Sequence, residues 1–261
     1  MKYPLALLVL ACSLVLGSAS SVRAEPVPLI AAAADLKFAL DVVAAQFKAE
    51  TGRELAITYG SSGNFARQLQ QGAPFQVFLS ADEGFVFRLA DAGKTLDQGT
   101  LYAEGRIVLF APHGSLLKPD AAFADLKAAL GDGRVQKFAI ANPEHAPYGR
   151  AAEQALAAQG LWDTIRPKLV MGENVAQAAQ FATSGGAQGG IFAHSLALSP
   201  EVHKLGSFVV IPAEWHQPLR QRMVLTNNAG ETAKAFYAYM QSSPARAVLR
   251  RFGFVLPGEA A

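Results

Sequence analysis

Cysteine is almost missing from this chain: Cys12 is the single one in 261 residues, and it sits in an apolar N-terminal stretch. A disulfide framework and thiol chemistry are both excluded once that stretch is removed. Long hydrophobic runs are missing too. The mostly apolar segment from Leu5 to Leu16 is the longest, short of the roughly 20 residues that a membrane span needs. Net charge is absent from the body of the chain, since removing Lys2 and Arg23 leaves 21 basic against 21 acidic residues, spread singly. A polyanion-binding surface is therefore unsupported. The five histidines (113, 145, 194, 203 and 216) have no metal-ligand spacing, which argues against a zinc site. No repeat, low-complexity tract or linker rich in Pro or Gly divides the chain. Gly185-Gly186 and Gly189-Gly190 follow a helical pattern and precede a strand pattern, the wrong context for a nucleotide loop; they read as a flexible connection.

Residues 1–24 have the form of a secretory signal: Lys2, then the apolar run, then small residues up to Val22-Arg23-Ala24. Export with cleavage after Ala24 is expected. A lipid-anchored form at Cys12, through the loose lipobox Val9-Leu10-Ala11-Cys12, is the lesser reading, because cleavage there leaves Ser13 to Leu16 outside.

In the remainder, strand and helix patterns alternate. Val27–Ala33 reads as a strand and Leu36–Glu50 as a helix with Phe38, Val42, Val43 and Phe47 on its buried face; Leu55–Tyr59 and Val77–Leu79 follow as strands, with helices from Asn64 and Phe85. This βαβα rhythm predicts an α/β fold with mostly parallel sheets. A second unit runs from the strand at Arg106–Ala111 to that at Ser207–Ile211. Then Arg222–Leu225 and two helices (231–240 and 244–251) return to the first unit. About 237 residues exceed one ordinary core, so the expected division is residues 25–105 with 216–261 as lobe 1 and residues 106–215 as lobe 2. Two crossings, near Arg106 and near Trp215 to Arg220, would form a hinge.

The segment Tyr59-Gly60-Ser61-Ser62-Gly63-Asn64 is the richest in chemistry. A strand breaks at small residues and a helix starts, presenting free N–H groups and hydroxyls to an anion without any cation. Three more junctions share this design: Ala34-Asp35, Tyr148-Gly149 and Asn174-Val175. Each alone is an ordinary strand-to-helix junction. If they converge outside the carboxyl ends of the strands, they enclose a small anion. Ser61 or Ser62 as a nucleophile would need a nearby base, and Gly-Ser-Ser-Gly does not match a nucleophile elbow. Asp82-Glu83 reads as a helix start, and Phe85 and Phe87 as core and surface.

The segments Ala31-Ala32-Ala33-Ala34-Asp35-Leu36, Tyr59 to Ala66, Gly72-Ala73-Pro74-Phe75, Leu79-Ser80-Ala81-Asp82-Glu83, Asn142-Pro143-Glu144-His145-Ala146-Pro147-Tyr148-Gly149, Gly172-Glu173-Asn174-Val175 and Arg251-Phe252-Gly253-Phe254 resemble, in order and spacing, the periplasmic molybdate-binding proteins of ABC importers. The resemblance spans the whole exported chain. It implies a type II periplasmic-binding fold that closes on one molybdate or tungstate, no cofactor, no enzymatic activity, and delivery to an inner-membrane permease and its ATPase by a periplasmic monomer. By position it implies oxyanion contacts from Ala34, Asp35, Ser62, Tyr148 and Val175; a metal would be touched only through the oxygens of the anion. Two positions depart from the family. Many members have serine or asparagine at Asp35, and many have tyrosine at Ala193.

A carboxylate beside a dianion is repelled unless one of them carries a proton. Three readings of Asp35 follow. It caps the helix beginning at Leu36, or it pairs with a protonated oxyanion and so redirects selectivity, or Lys37 or another cation neutralises it. The alternatives at the level of function are a carrier for another, protonated tetrahedral oxyanion and a secreted hydrolase using Ser62.

Overall fold

The computed structural model describes residues 26–259. The signal segment, its cleavage point and Cys12 lie outside the described residues. In chain order the elements are β1 (Leu29–Ala33), a 3-10 turn (Ala34–Leu36), α1 (Lys37–Thr51), β2 (Ala56–Gly60), α2 (Ser62–Gln70), β3 (Val77–Ser80), α3 (Glu83–Asp91), β4 (Thr100–Gly105), β5 (Ile107–Pro112), α4 (Ala124–Gly131), β6 (Phe138–Ala141), α5 (Pro147–Ala158), α6 (Trp162–Ile165), β7 (Leu169–Gly172), α7 (Val175–Thr183), β8 (Gly189–Ala193), α8 (His194–Ala197), α9 (Pro200–His203), β9 (Gly206–Val210), β10 (Leu219–Leu225), α10 (Glu231–Tyr239) and α11 (Ser243–Arg251).

Two five-stranded mixed sheets organise these elements. The first has the order β2-β1-β3-β10-β4 and the second β7-β6-β8-β5-β9. Within each, three strands run parallel (β2, β1 and β3; β7, β6 and β8) and the other two add antiparallel pairing. Parallel strands need helical crossovers, which cover both faces and explain why β3, β6 and β8 are buried along their whole length. The chain leaves the first sheet at β4, enters the second at β5 across Arg106, and returns between β9 and β10.

Each sheet carries its own core. Around the first, Ile30, Leu40, Val43, Phe47, Val77 and Leu79 pack with Phe236, Val248 and Leu249 of α10 and α11. The buried stripe of α1 is Ala39, Leu40, Val43 and Phe47, with Phe38 and Val42 at its margin. This rotates the face expected from sequence by a fraction of a turn; α11 and α8 both pack against the helix. Gly52, at φ 71°, ends α1 by donating to the Lys48 carbonyl in a left-handed cap. The second core includes Leu109, Phe110, Leu126, Phe138, Ile140, Leu156 and Phe192, and Ala33 at the end of β1, Ala34 after it and Ala81 after β3 pack onto it. Alanine at those three places lets the two halves approach closely.

Several elements depart from the sequence reading. β4 was not anticipated, because Thr100 and Glu104 break its apolar pattern; it forms through antiparallel pairing with β10. β10 begins at Leu219 instead of Arg222. Gly189-Gly190 do not form a flexible connection: both are buried in β8, paired with Phe138 and Ala139.

Candidate functional site

β1, β2, β3, β6 and β7 all end at one edge of their sheets, and their following turns face each other. One small cavity, of about 10 Å³, lies there, lined by Ala33, Ala34, Asp35, Gly60, Ser61, Ser62, Ala81, Ala146, Pro147, Tyr148 and Val175. Ala34, Asp35, Ser62, Tyr148 and Val175, singled out from sequence, are thus brought together; Ala193 ends β8 and does not line the cavity.

Three helices point their N-termini at this cavity, and each has one first-turn amide to spare. At α2, which starts at Ser62 and not at Asn64, the Ser61 hydroxyl caps Asn64 N–H (3.3 Å) and Gly63 N–H goes to the His145 carbonyl (3.0 Å), leaving Ser62 N–H. At α7 the Asn174 side chain accepts from both Ala176 and Gln177 (3.0 and 3.1 Å), leaving Val175 N–H. At α5, Pro147 occupies the first position and has no N–H, so Tyr148 provides the first one. Amides held at three helix starts can cradle an anion by fixed dipoles alone. The Ser62 hydroxyl is buried and accepts from Ala81 N–H (2.9 Å), so its own proton is available to a ligand.

Asp35 is the site's one charged wall residue, 1% exposed, and it does not cap a helix: neither the 3-10 turn nor α1 has a side-chain cap. Its backbone is turned by the 3-10 conformation, and its side chain instead meets Tyr148 from the other half and Gln221 from β10 of its own sheet. Oδ2 accepts from the Tyr148 hydroxyl (2.9 Å) and from Gln221 Nε2 (2.7 Å); Gln221 Nε2 also donates to the Tyr148 oxygen (2.9 Å), and the Tyr102 hydroxyl donates to Gln221 Oε1 (2.6 Å). Oδ1 has no hydrogen-bond partner. Burial pushes the Asp35 carboxyl up to about 6, opposed in part by the Gln221 and Tyr148 bonds and by nearby backbone amides. Lys37 does not neutralise it, because its ammonium pairs with Asp41 at 3.2 Å on the surface. Tyr148 therefore spends its phenolic proton on Asp35, and only its backbone N–H is left for an anion.

The Tyr148 ring reaches Asp35 through a gap over Gly105, where an added Cβ would lie 2.1 Å from the phenolic oxygen. A β-bulge between Gln221 and Arg222 sends Gln221 inward, while Arg222 turns out to Glu83 (3.0 Å). Neither Gln221 nor Tyr102 was found from sequence; a buried amide between two arginines carries no local signal. His145 does more than shape its turn: its Nδ1 meets the Ser61 hydroxyl at 3.0 Å and its Nε2 lies 3.5 Å from Glu173. Asp82 caps α3 through Gly84 N–H (2.8 Å) and pairs with Arg150 across the cleft. Among the described residues no group of three metal-ligating side chains exists, and no helix is long and apolar enough to cross a membrane.

Comparison with known proteins follows the same line. The family described as bacterial extracellular solute-binding protein matches residues 28–255. The molybdate-binding protein ModA of Rhodobacter capsulatus is 34% identical over 248 residues, covering 94% of each chain. ModA of Azotobacter vinelandii is 33% identical over 230 residues, covering 87% of this chain and 89% of its own. The solved structure of the Azotobacter vinelandii periplasmic molybdate-binding protein superposes with a TM-score of 0.80 at 31% identity, covering 88% of this chain and 99% of that one.

Proposed function

This chain belongs to the bacterial extracellular solute-binding proteins, and from that premise we propose that it captures molybdate or tungstate between its two lobes and delivers the anion to an ABC permease. The observation that carries this reading is the convergence of three helix N-termini, each with a spare amide, on one cavity that no cation lines. Ser62, Tyr148 and Val175 supply the amides, Ser62 adds its hydroxyl, and Ala34 with Asp35 closes the remaining side. Fixed dipoles spread the anion's charge without a counter-ion. They also measure size: donors placed for long metal–oxygen bonds leave sulfate with stretched hydrogen bonds, which weaken steeply.

Residues 25–105 with 216–261 act as one lobe and 106–215 as the other, hinged at Arg106 and at the segment before β10. Contacts from Gly63 to His145, Asp35 to Tyr148 and Asp82 to Arg150 hold the closed form. The protein works as an exported, monomeric periplasmic carrier, without cofactor and without turnover. A hydrolase using Ser62 lacks support, since the ring of His145 faces Ser61.

Calorimetric titration with molybdate, tungstate, sulfate, phosphate and chromate tests the proposal. One-to-one binding of molybdate and tungstate, with sulfate and phosphate far weaker, is expected. Preference for sulfate or phosphate would overturn the assignment.

A further inference from the structure

Asp35 lines the cavity where the spare amides converge, a juxtaposition that sets a buried carboxyl beside the proposed anion. At an effective dielectric of 20 and about 4 Å separation, a bare carboxylate weakens binding roughly a thousandfold per unit of anion charge. Something must remove that charge, and the surroundings of Asp35 hold no cation to do it. Lys37 on α1 pairs with Asp41, as does the Tyr59 hydroxyl of β2 (2.6 Å). Arg106 donates to the Ile211 carbonyl (3.1 Å), and Arg150 pairs with Asp82. His145 is taken by Ser61 and Glu173, and on α8 burial and Arg106 lower the pKa of His194. From the same helix the Ser195 hydroxyl donates only to the Asp35 backbone carbonyl (2.8 Å). α7 offers no titratable side chain. Tyr148, Gln221, the backbone amides of Asp35 and Leu36 and, behind Gln221, Tyr102 face the carboxyl, and all of them are neutral donors.

The two carboxylate oxygens are not equivalent. Oδ2 already accepts two hydrogen bonds, so a proton there would clash with a donor. Oδ1, buried and without a partner, is where a proton is free to sit. We propose, building on the oxyanion-carrier reading, that Asp35 binds the anion as the neutral acid, with the Oδ1 proton donated to an anion oxygen, so that capture takes up one proton. An orphaned oxygen then becomes a satisfied donor, and repulsion becomes a hydrogen bond. Dianions of strong acids are weaker bases than this carboxyl, which keeps the proton on Asp35. Since the free carboxyl is half ionised near pH 6, the coupling is felt above that value.

The test is calorimetric titration of the purified protein with molybdate and with sulfate at pH 6.5, 7.5 and 8.5, in buffers of different ionisation enthalpy, which counts protons. Wild type should take up close to one proton per anion at pH 7.5 and above, with Kd rising about tenfold per pH unit there. Asp35→Asn, or Asp35→Ser should the amide not fold, should take up none and show a flat Kd across the range, whatever its affinity. Binding by wild type with no proton uptake and a flat Kd overturns the proposal and leaves the carrier reading standing. Failure of wild type to bind any of these anions at any pH overturns both.

Discussion

Replacing Asp35 with asparagine keeps the shape of the side chain and removes its ability to ionise, so the cost of burying the charge becomes measurable in the protein without ligand. The amide oxygen can accept from Tyr148 and Gln221 as Oδ2 does, and its NH2 takes the place of the unpartnered Oδ1. The carboxyl is raised from 3.8 to about 6, which at 1.36 kcal/mol per unit corresponds to about 3 kcal/mol. Below pH 3.8 the group is protonated folded and unfolded, and it contributes nothing to the difference. Between 3.8 and about 6 the folded state keeps a proton that the unfolded chain has lost, so stability falls as pH rises. Above 6 both are ionised and the full penalty is present. Asp35→Asn should therefore match wild type near pH 4 and exceed it by about 3 kcal/mol at pH 7.5, or roughly 6–12 °C in Tm for a chain of this size. Urea unfolding at four pH values between 4 and 7.5 measures the difference, with other titrating groups cancelling between the two proteins. A difference that does not change with pH, or that favours wild type at pH 7.5, would refute the account of Asp35 as a carboxyl held up by burial.

Three further outcomes are expected. Ser62→Ala should weaken molybdate binding by about 1–3 kcal/mol through loss of a charge-assisted bond, read by calorimetry; wild-type affinity would remove this hydroxyl from the site. Gly149→Ala would place a Cβ 2.3 Å from the Ala141 carbonyl oxygen, a backbone atom that cannot swing away, and should cost about 1–3 kcal/mol in urea unfolding; an unchanged midpoint contradicts the packing at the start of α5. Arg150→Met breaks a partly exposed pair with Asp82, worth at most about 1 kcal/mol, so the anion should dissociate up to about fivefold faster, an effect that shrinks in high salt. A loss beyond fiftyfold would mean that Arg150 touches the anion itself.

The parts of the site legible in the sequence were those whose chemistry is local. A strand that stops at small residues before a helix leaves unpaired amides whatever the rest of the chain does, and so the junctions Ser61-Ser62-Gly63, Tyr148-Gly149 and Asn174-Val175 stand out, which the family resemblance narrows to Ser62, Tyr148 and Val175. α7 was placed at its observed bounds because Asn174 caps it from the adjacent position. Asp35 was seen, yet capping, the reading that local geometry favours, is not what it does. Its partners stand 113 and 186 residues away, on α5 and β10, where no neighbouring pattern announces them.

What the sequence determined by itself was the alternation of strands and helices and the junctions with spare amides, because apolar periodicity and end-of-helix chemistry act over a few residues. The tertiary structure alone decided that these junctions share one cavity, that Gln221 turns inward at a bulge, and that Oδ1 of Asp35 is buried without a hydrogen-bond partner. Those facts depend on which strands pair and how closely two lobes approach, and long-range pairing is settled by the packing of the whole chain and not by any segment of it.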